Sequence, residues 1–252
     1  MHPLSGHTLV FLPGLDGTGI SFEPLGRILP EDVSVTVIRY PDDQLLTFEE
    51  TVLCAAEQIG PHCENVIVLA ESFSGPIAVE LVSSGMLKPR GLVLCATFAR
   101  APRPGLFKLL SYLPLAWLIR MPFPKYLFKH LVEGGEKNTE LFVSMWQRVK
   151  ERVPAKVLVH RFRLISRVDV CDRLANLTIP CLYIQAAGDR SIPESALSDF
   201  TRAVMDLSVK RMKGPHYILQ AEPDACLAAI QAFAGGLAKQ GGHGTAAAEP
   251  NK

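Results

Sequence analysis

The sequence predicts an α/β fold: a mostly parallel sheet flanked by helices, with a helical segment inserted after the strand at residues 91–96. Three observations lead there. Short β-rich runs alternate with stretches of helical periodicity, the pattern of a parallel sheet whose crossovers are helices. That alternation breaks once, between residues 100 and 168, where the text turns helical and carries Pro102, Pro104, Pro114, Pro122, Pro124 and Pro154. The chain has 252 residues, 48% of them hydrophobic, which is ample for one packed α/β domain.

Taken in order, strands are expected over residues 7–12, 34–39, 65–70 and 91–96, each a short apolar or β-branched run. Helices are expected over 48–59 and 74–84 between them. After the insertion, Ile179-Pro180 leads back into a strand over 181–186, followed by a helix over 194–204 and a strand over 207–212. The last helix is expected over 224–237, where Cys226, Ile230 and Phe233 recur at steps of three and four and make one buried face. The domain reading is therefore a core of residues 1–99 and 169–237, a helical cap of residues 100–168, and a frayed tail over 238–252. No internal repeat is visible.

The composition excludes several classes. It is not that of a disordered, collagen-like or disulfide-knot chain. The net charge of +1 makes no case for a nucleic-acid partner. That near-neutrality hides an asymmetry, because residues 100–168 hold 14 basic and 4 acidic side chains while the remainder holds 12 and 21. The longest apolar stretch, 109–119, contains Pro114 and has Lys108 and Arg120 at its ends; a spanning helix needs roughly 20 apolar residues. A secretory signal is not expected, because residues 1–9 hold no basic region followed by a long apolar run. Cys54, Cys63, Cys95, Cys171, Cys181 and Cys226 include no C-x-x-C pair, so zinc and thioredoxin-type readings fail, and Cys95 and Cys181 sit in apolar runs as small buried hydrophobes. A reducing, cytoplasmic setting is the expectation.

The chemistry centres on Val66-Ile67-Val68-Leu69-Ala70-Glu71-Ser72-Phe73-Ser74-Gly75-Pro76. An apolar strand runs straight into Ser72 and a helix follows, a turn that pushes a nucleophile's hydroxyl into the open. The positions two before and two after the serine must be small, and Ala70 and Ser74 are. A serine hydroxyl needs a base beside it, itself oriented by a carboxylate, and after such a turn the chain order is serine, acid, histidine. Asp189 follows the strand at 181–186 and His216 follows the strand at 207–212. All three lie just past the C-terminal ends of strands, where open α/β sheets place their sites. The loop Pro13-Gly14-Leu15-Asp16-Gly17-Thr18-Gly19 follows the first strand, so the backbone N–H groups of Leu15 and Phe73 are the candidate oxyanion donors. Glu71 is either a charged neighbour shaping the local potential or a participant, and Asp16 either a turn residue or a site-shaping one.

These residues resemble the α/β-hydrolase superfamily, in the compact form that begins at the oxyanion strand. The likeness covers roughly residues 7–237 and rests on the turn around Ser72, on Gly188-Asp189-x-x-Ile192-Pro193 and on Gly214-x-His216. The chain departs from the G-x-S-x-G pattern at Ala70 and Ser74, and has Pro13 where the family often has histidine. The resemblance implies a serine hydrolase that works without metal or organic cofactor on a small-molecule acyl ester. Thioesterase, acyl-carrier methylesterase and acyltransferase activities are the alternatives, with a non-catalytic ligand-binding protein as the rival class.

Within the insertion, Leu106, Phe107, Leu109, Leu110, Tyr112, Leu113, Leu115, Trp117, Leu118 and Ile119 are apolar on nearly every side. Either they pack the cap on the body, or they roof an acyl pocket while the basic outer face touches lipid or an acidic acyl carrier. Leu113 and Trp117 are the substrate-contact candidates on the second reading.

Overall fold

Six parallel strands form one sheet in the order β2-β1-β3-β4-β5-β6 in a computed structural model that describes residues 2–60, 65–105, 113–120 and 135–241. They are β1 (Thr8–Leu12), β2 (Ser34–Val37), β3 (Val66–Glu71), β4 (Gly91–Cys95), β5 (Cys181–Ala186) and β6 (Leu207–Met212). The expected α/β class and parallel sheet are what the chain adopts.

Burial explains the strand sequences. β3, β4 and β5 are buried at every position and read as continuous apolar runs, because helices cover both faces of the sheet. The edge strands β2 and β6 are mostly exposed, through residues such as Thr36, Lys210 and Arg211. On one face the helices Phe48–Ile59 and Ser74–Ser83 bury Val52, Ala55, Ile77 and Leu81. On the other, the helix Pro223–Gly241 buries Cys226, Ile230, Ala234 and Leu237. Gly91 lets that helix close on the sheet: a Cβ there would lie 2.8 Å from Phe233.

Strand ends differ from expectation by a residue or two, for local reasons. β4 stops at Cys95 because Ala96 takes φ 46° and turns the chain out of the sheet. β3 instead runs on to Glu71, so the serine follows the last strand residue directly. The last helix continues to Gly241, past its expected end at residue 237 and into the stretch where fraying was expected. Leu237 is buried there and its carbonyl accepts from Arg90 at 3.0 Å, which ties the end of the helix to the body. Residues 242–252 lie outside the described residues, as do residues 106–112 of the apolar run.

Between β4 and β5 the described chain forms the helices Leu115–Arg120, Gly135–Arg152 and Ala155–Ile165. Among the described residues no helix is long and apolar enough to cross a membrane.

The strand order has one reversal. From β1 the chain steps outward to β2, then returns to β3 on the other side of β1 and continues to β6. At such a switch point the loops after two adjacent strands diverge and leave a crevice at their C-terminal ends. Here those loops are 13–19, after β1, and the turn at Ser72, after β3.

Candidate active site

Ser72 has φ 48°, a left-handed conformation that costs a residue with a Cβ free energy and persists only where the surroundings enforce it. The enforcement is visible. The Ser72 amide donates to the Cys95 carbonyl at 3.0 Å, and its own carbonyl accepts from the Gly75 amide at 3.0 Å and from the Thr97 hydroxyl. Thr97 sits so close that a Cβ on Gly75 would lie 1.8 Å from its Oγ1, so residue 75 must be glycine for the turn to pack.

His216 Nε2 lies 2.9 Å from Ser72 Oγ, and its Nδ1 lies 2.7 Å from Asp189 Oδ2. With Nδ1 protonated toward the carboxylate, Nε2 is left free to accept the serine's proton. Asp189 also holds its own turn: Oδ1 accepts from the amides of Ser191 and Ile192, each at 2.8 Å. Its side chain is only 5% exposed. The loops carrying Asp189 and His216 are joined by the Gly188 amide, which donates to the Gly214 carbonyl at 2.9 Å. Burial works against the imidazolium, but the Asp189 charge and hydrogen bond, with a smaller push from Glu71, hold His216 above its ordinary value.

Leu15 lines the cavity that contains Ser72, and Phe73 follows Ser72 directly. Among the described residues, neither amide is taken up by an internal hydrogen bond. The loop that carries Leu15 is held from both sides. Asp16 Oδ1 accepts from the Thr18 amide at 2.7 Å and from the Thr18 hydroxyl, and burial raises the Asp16 carboxyl above its usual range. Arg161, buried on the helix Ala155–Ile165, donates to the carbonyls of Leu15 (3.2 Å), Asp16, Tyr40 (3.3 Å) and Pro41 (2.8 Å). Gly17 (φ 69°) makes that approach possible, because a Cβ there would lie 2.3 Å from the guanidinium. Ser74, in the position where the common pattern has glycine, donates its hydroxyl to the Pro13 carbonyl at the start of the same loop.

The cavity above Ser72 has a volume of about 330 Å³. Its roof is Phe142, Met145, Trp146 and Val149, from one face of the helix Gly135–Arg152. Phe142 stacks on Trp146 at 6.4 Å and meets Tyr217, next to the histidine, at 5.2 Å. Leu113 and Trp117, expected at the substrate, are not among the lining residues and are 46% and 57% exposed. The apolar face over the serine is supplied by the next described helix instead. Its spacing of 142, 145, 146 and 149 is that of a helical stripe, a signal present in the sequence. Arg161 left a signal too. It falls in register with the buried Leu158 and Ile165, a charge inside an apolar stripe.

Among the described residues, no group of three or more His, Cys, Asp or Glu side chains is placed to hold a metal ion. Cys95, Cys181 and Cys226 are free and buried.

The sequence pattern of the alpha/beta hydrolase family matches residues 9–229. The chain belongs to that family. An esterase from Exiguobacterium antarcticum superposes with a TM-score of 0.73 at 14% identity, covering 91% of this chain and 92% of that one. The enol-lactonase from Burkholderia xenovorans gives 0.71 at 14% identity over 90% of both chains. At these identities the hydrolase fold is what is shared. In sequence the chain is 27% identical over 125 residues to phytyl ester synthase 1, chloroplastic, of Arabidopsis thaliana. That match takes in 46% of this chain and 18% of the synthase. Residues 9–229 reach from β1 past His216 into the last helix, so the family match contains the serine, the acid and the histidine.

Proposed function

We propose that this hydrolase cleaves carboxylic esters of short to medium acyl chains through an acyl-enzyme on Ser72. The observation that carries the reading is Ser72 in a left-handed turn, its Oγ 2.9 Å from His216 Nε2, opening on an apolar cavity.

In the first step Ser72 Oγ attacks the ester carbonyl carbon while His216 Nε2 takes the serine's proton. Asp189 keeps the imidazole in the right tautomer and steadies its positive charge. The amides of Leu15 and Phe73 face the oxyanion, and each such donor is worth about 2.7–4 kcal/mol in the transition state. The C–O bond to the alcohol then breaks, and His216 returns its proton to the leaving oxygen. Water, deprotonated by His216, attacks the acyl-enzyme; the acid leaves and Ser72 regains its proton. The residue 100–168 segment acts as a cap whose apolar roof limits acyl length. A cavity of about 330 Å³ stands near the small end of ligand pockets, which span roughly 300–1,000 Å³.

Hydrolysis of p-nitrophenyl esters from acetyl to palmitoyl, in wild type and Ser72→Ala, tests this. Turnover that peaks at one chain length and is lost in the variant supports it; turnover that survives Ser72→Ala places the nucleophile elsewhere. A serine-directed phosphonate that labels Ser72 separates an enzyme from a silent binding protein.

A second reading, acyl transfer to an alcohol in place of water, draws on the sequence likeness to a phytyl ester synthase. It predicts that a long-chain alcohol added to the assay diverts acyl groups from free acid to new ester.

A further inference from the structure

Three polar side chains in the cavity wall, Ser21, Glu71 and Gln220, take no part in the acyl-transfer steps. They touch one another. Ser21 Oγ donates to Glu71 Oε2 at 2.8 Å, and Gln220 Nε2 donates to Glu71 Oε1 at 2.8 Å and to the Ser21 carbonyl at 2.9 Å. All three are buried, Glu71 at 6% exposure and Gln220 at 2%. They come from three separate places: the segment after β1, the last residue of β3, and the short helix Ile218–Ala221 after His216.

The cluster is rich in acceptors. Both partners of the Glu71 carboxyl are neutral donors, and they leave about half of a carboxylate's four or so lone-pair sites open. Among the described residues, Gln220 Oε1 is buried with no hydrogen-bond partner. Exchanging its oxygen and nitrogen does not cure this, because the oxygen would then face a carboxylate and a carbonyl. Burial pushes the Glu71 carboxyl above its ordinary range, and the bonds from Gln220 and Ser21 act against that. Acceptors without donors, set in an otherwise apolar cavity, are complemented by a ligand that brings a donor. A neutral hydroxyl suits these walls better than an ammonium ion, which would carry its full desolvation cost into them.

We propose that Ser21, Glu71 and Gln220 form a subsite for a hydroxyl group that the ester carries close to its scissile bond. The inference rests on the ester-hydrolase reading of Ser72 and narrows its substrates to hydroxy esters. A network that served only to tie three loops together would be indifferent to that hydroxyl.

Two pairs of esters, each differing by a hydroxyl in place of a methyl, test it: 2-hydroxyethyl against propyl butanoate, and ethyl 3-hydroxybutanoate against ethyl 3-methylbutanoate. p-Nitrophenyl butanoate reports separately on the nucleophile. Within at least one pair, wild type is expected to favour the hydroxy ester in kcat/KM by about fivefold or more, the scale of one buried hydrogen bond. Glu71→Met brings that ratio to within about twofold of unity, and taking the ratio within one variant cancels losses common to both esters. Wild-type ratios near unity in both pairs, with p-nitrophenyl butanoate still turned over, overturn the subsite and leave the esterase standing. A ratio that persists in Glu71→Met removes Glu71 from it. If wild type turns over none of these esters, including p-nitrophenyl butanoate, the ester-hydrolase reading falls and the subsite with it. The wild-type ratios decide the matter even if Glu71→Met does not fold.

Discussion

The phenolic oxygen of Tyr40 lies 2.6 Å from Ser74 Oγ, and that hydroxyl in turn donates to the carbonyl of Pro13. Tyr40 is buried, which raises its pKa and keeps the phenol a donor, so the chain of bonds runs Tyr40 to Ser74 to Pro13. It links the segment after β2, the helix that follows Ser72 and the start of the loop that carries Leu15.

Removing the middle of that chain tests it. Ser74→Ala leaves a buried phenol and a buried carbonyl without their partner, a loss of about 1–3 kcal/mol. Thermal denaturation is expected to show a Tm lower by several degrees. kcat on a p-nitrophenyl ester falls while KM changes little, because the loop, not the apolar cavity, is what loosens. An unchanged Tm and kcat would show that the three groups find other partners.

Arg161 makes the second prediction. Its guanidinium holds carbonyls on both the 13–19 loop and the segment after β2, with the Tyr40 ring 5.8 Å from its centre. Arg161→Met keeps the apolar stem and deletes every donor, so a drop in kcat of about ten- to a hundredfold is expected, the range of one lost oxyanion contact or less. Arg161→Lys recovers only a small part, since a point charge cannot span four carbonyls as a planar fork does. Steady-state kinetics of the two variants check this, and full recovery in Arg161→Lys would reduce the role to one of charge.

How much of this was legible in the sequence depends on whether the cause was local. The strands β5 (Cys181–Ala186) and β6 (Leu207–Met212) match expectation residue for residue, because the turns that flank both, and in β5 a continuous buried apolar run, leave a direct pattern. Ser72, Asp189 and His216 were found from their place after strands, and the structure brings them within hydrogen-bonding distance. The cavity roof was not found, since choosing between two apolar segments of the insertion is a question of tertiary packing. Trp117 belongs to the longer greasy run yet is 57% exposed, while Trp146 lines the cavity. The last helix runs on past residue 237 to Gly241, and Arg90, 147 residues away in sequence, holds the Leu237 carbonyl where that extension begins. No local pattern encodes that contact.

The acid limb of the pH profile follows from His216. In the proposed mechanism His216 accepts a proton only when neutral, so activity is expected above its pKa and is lost as pH falls through it. An unperturbed histidine titrates near ~6.5, and Asp189 with Glu71 holds this one higher. Half-maximal kcat/KM is therefore expected above pH ~6.5. Glu71→Gln removes one of the charges that favour the imidazolium, and its limb moves to lower pH. Asp189→Asn moves it the same way and lowers the plateau by about 10⁴. A rate that is flat from pH ~5 to ~9 would remove His216 from the role of base.

The roof makes the last prediction, and it discriminates between two tryptophans. Trp146→Ala opens the cavity along the helix Gly135–Arg152, where Trp146 stacks on Phe142. The best p-nitrophenyl ester is then expected to shift to a longer acyl chain, and short esters lose kcat/KM as apolar contact is lost, at about 0.8 kcal/mol per buried methylene. Trp117→Ala leaves the chain-length profile where it was, because that ring does not line the cavity. Chain-length profiles of the two variants beside wild type read this directly. A shift in Trp117→Ala with none in Trp146→Ala would put the acyl pocket under the 115–120 helix.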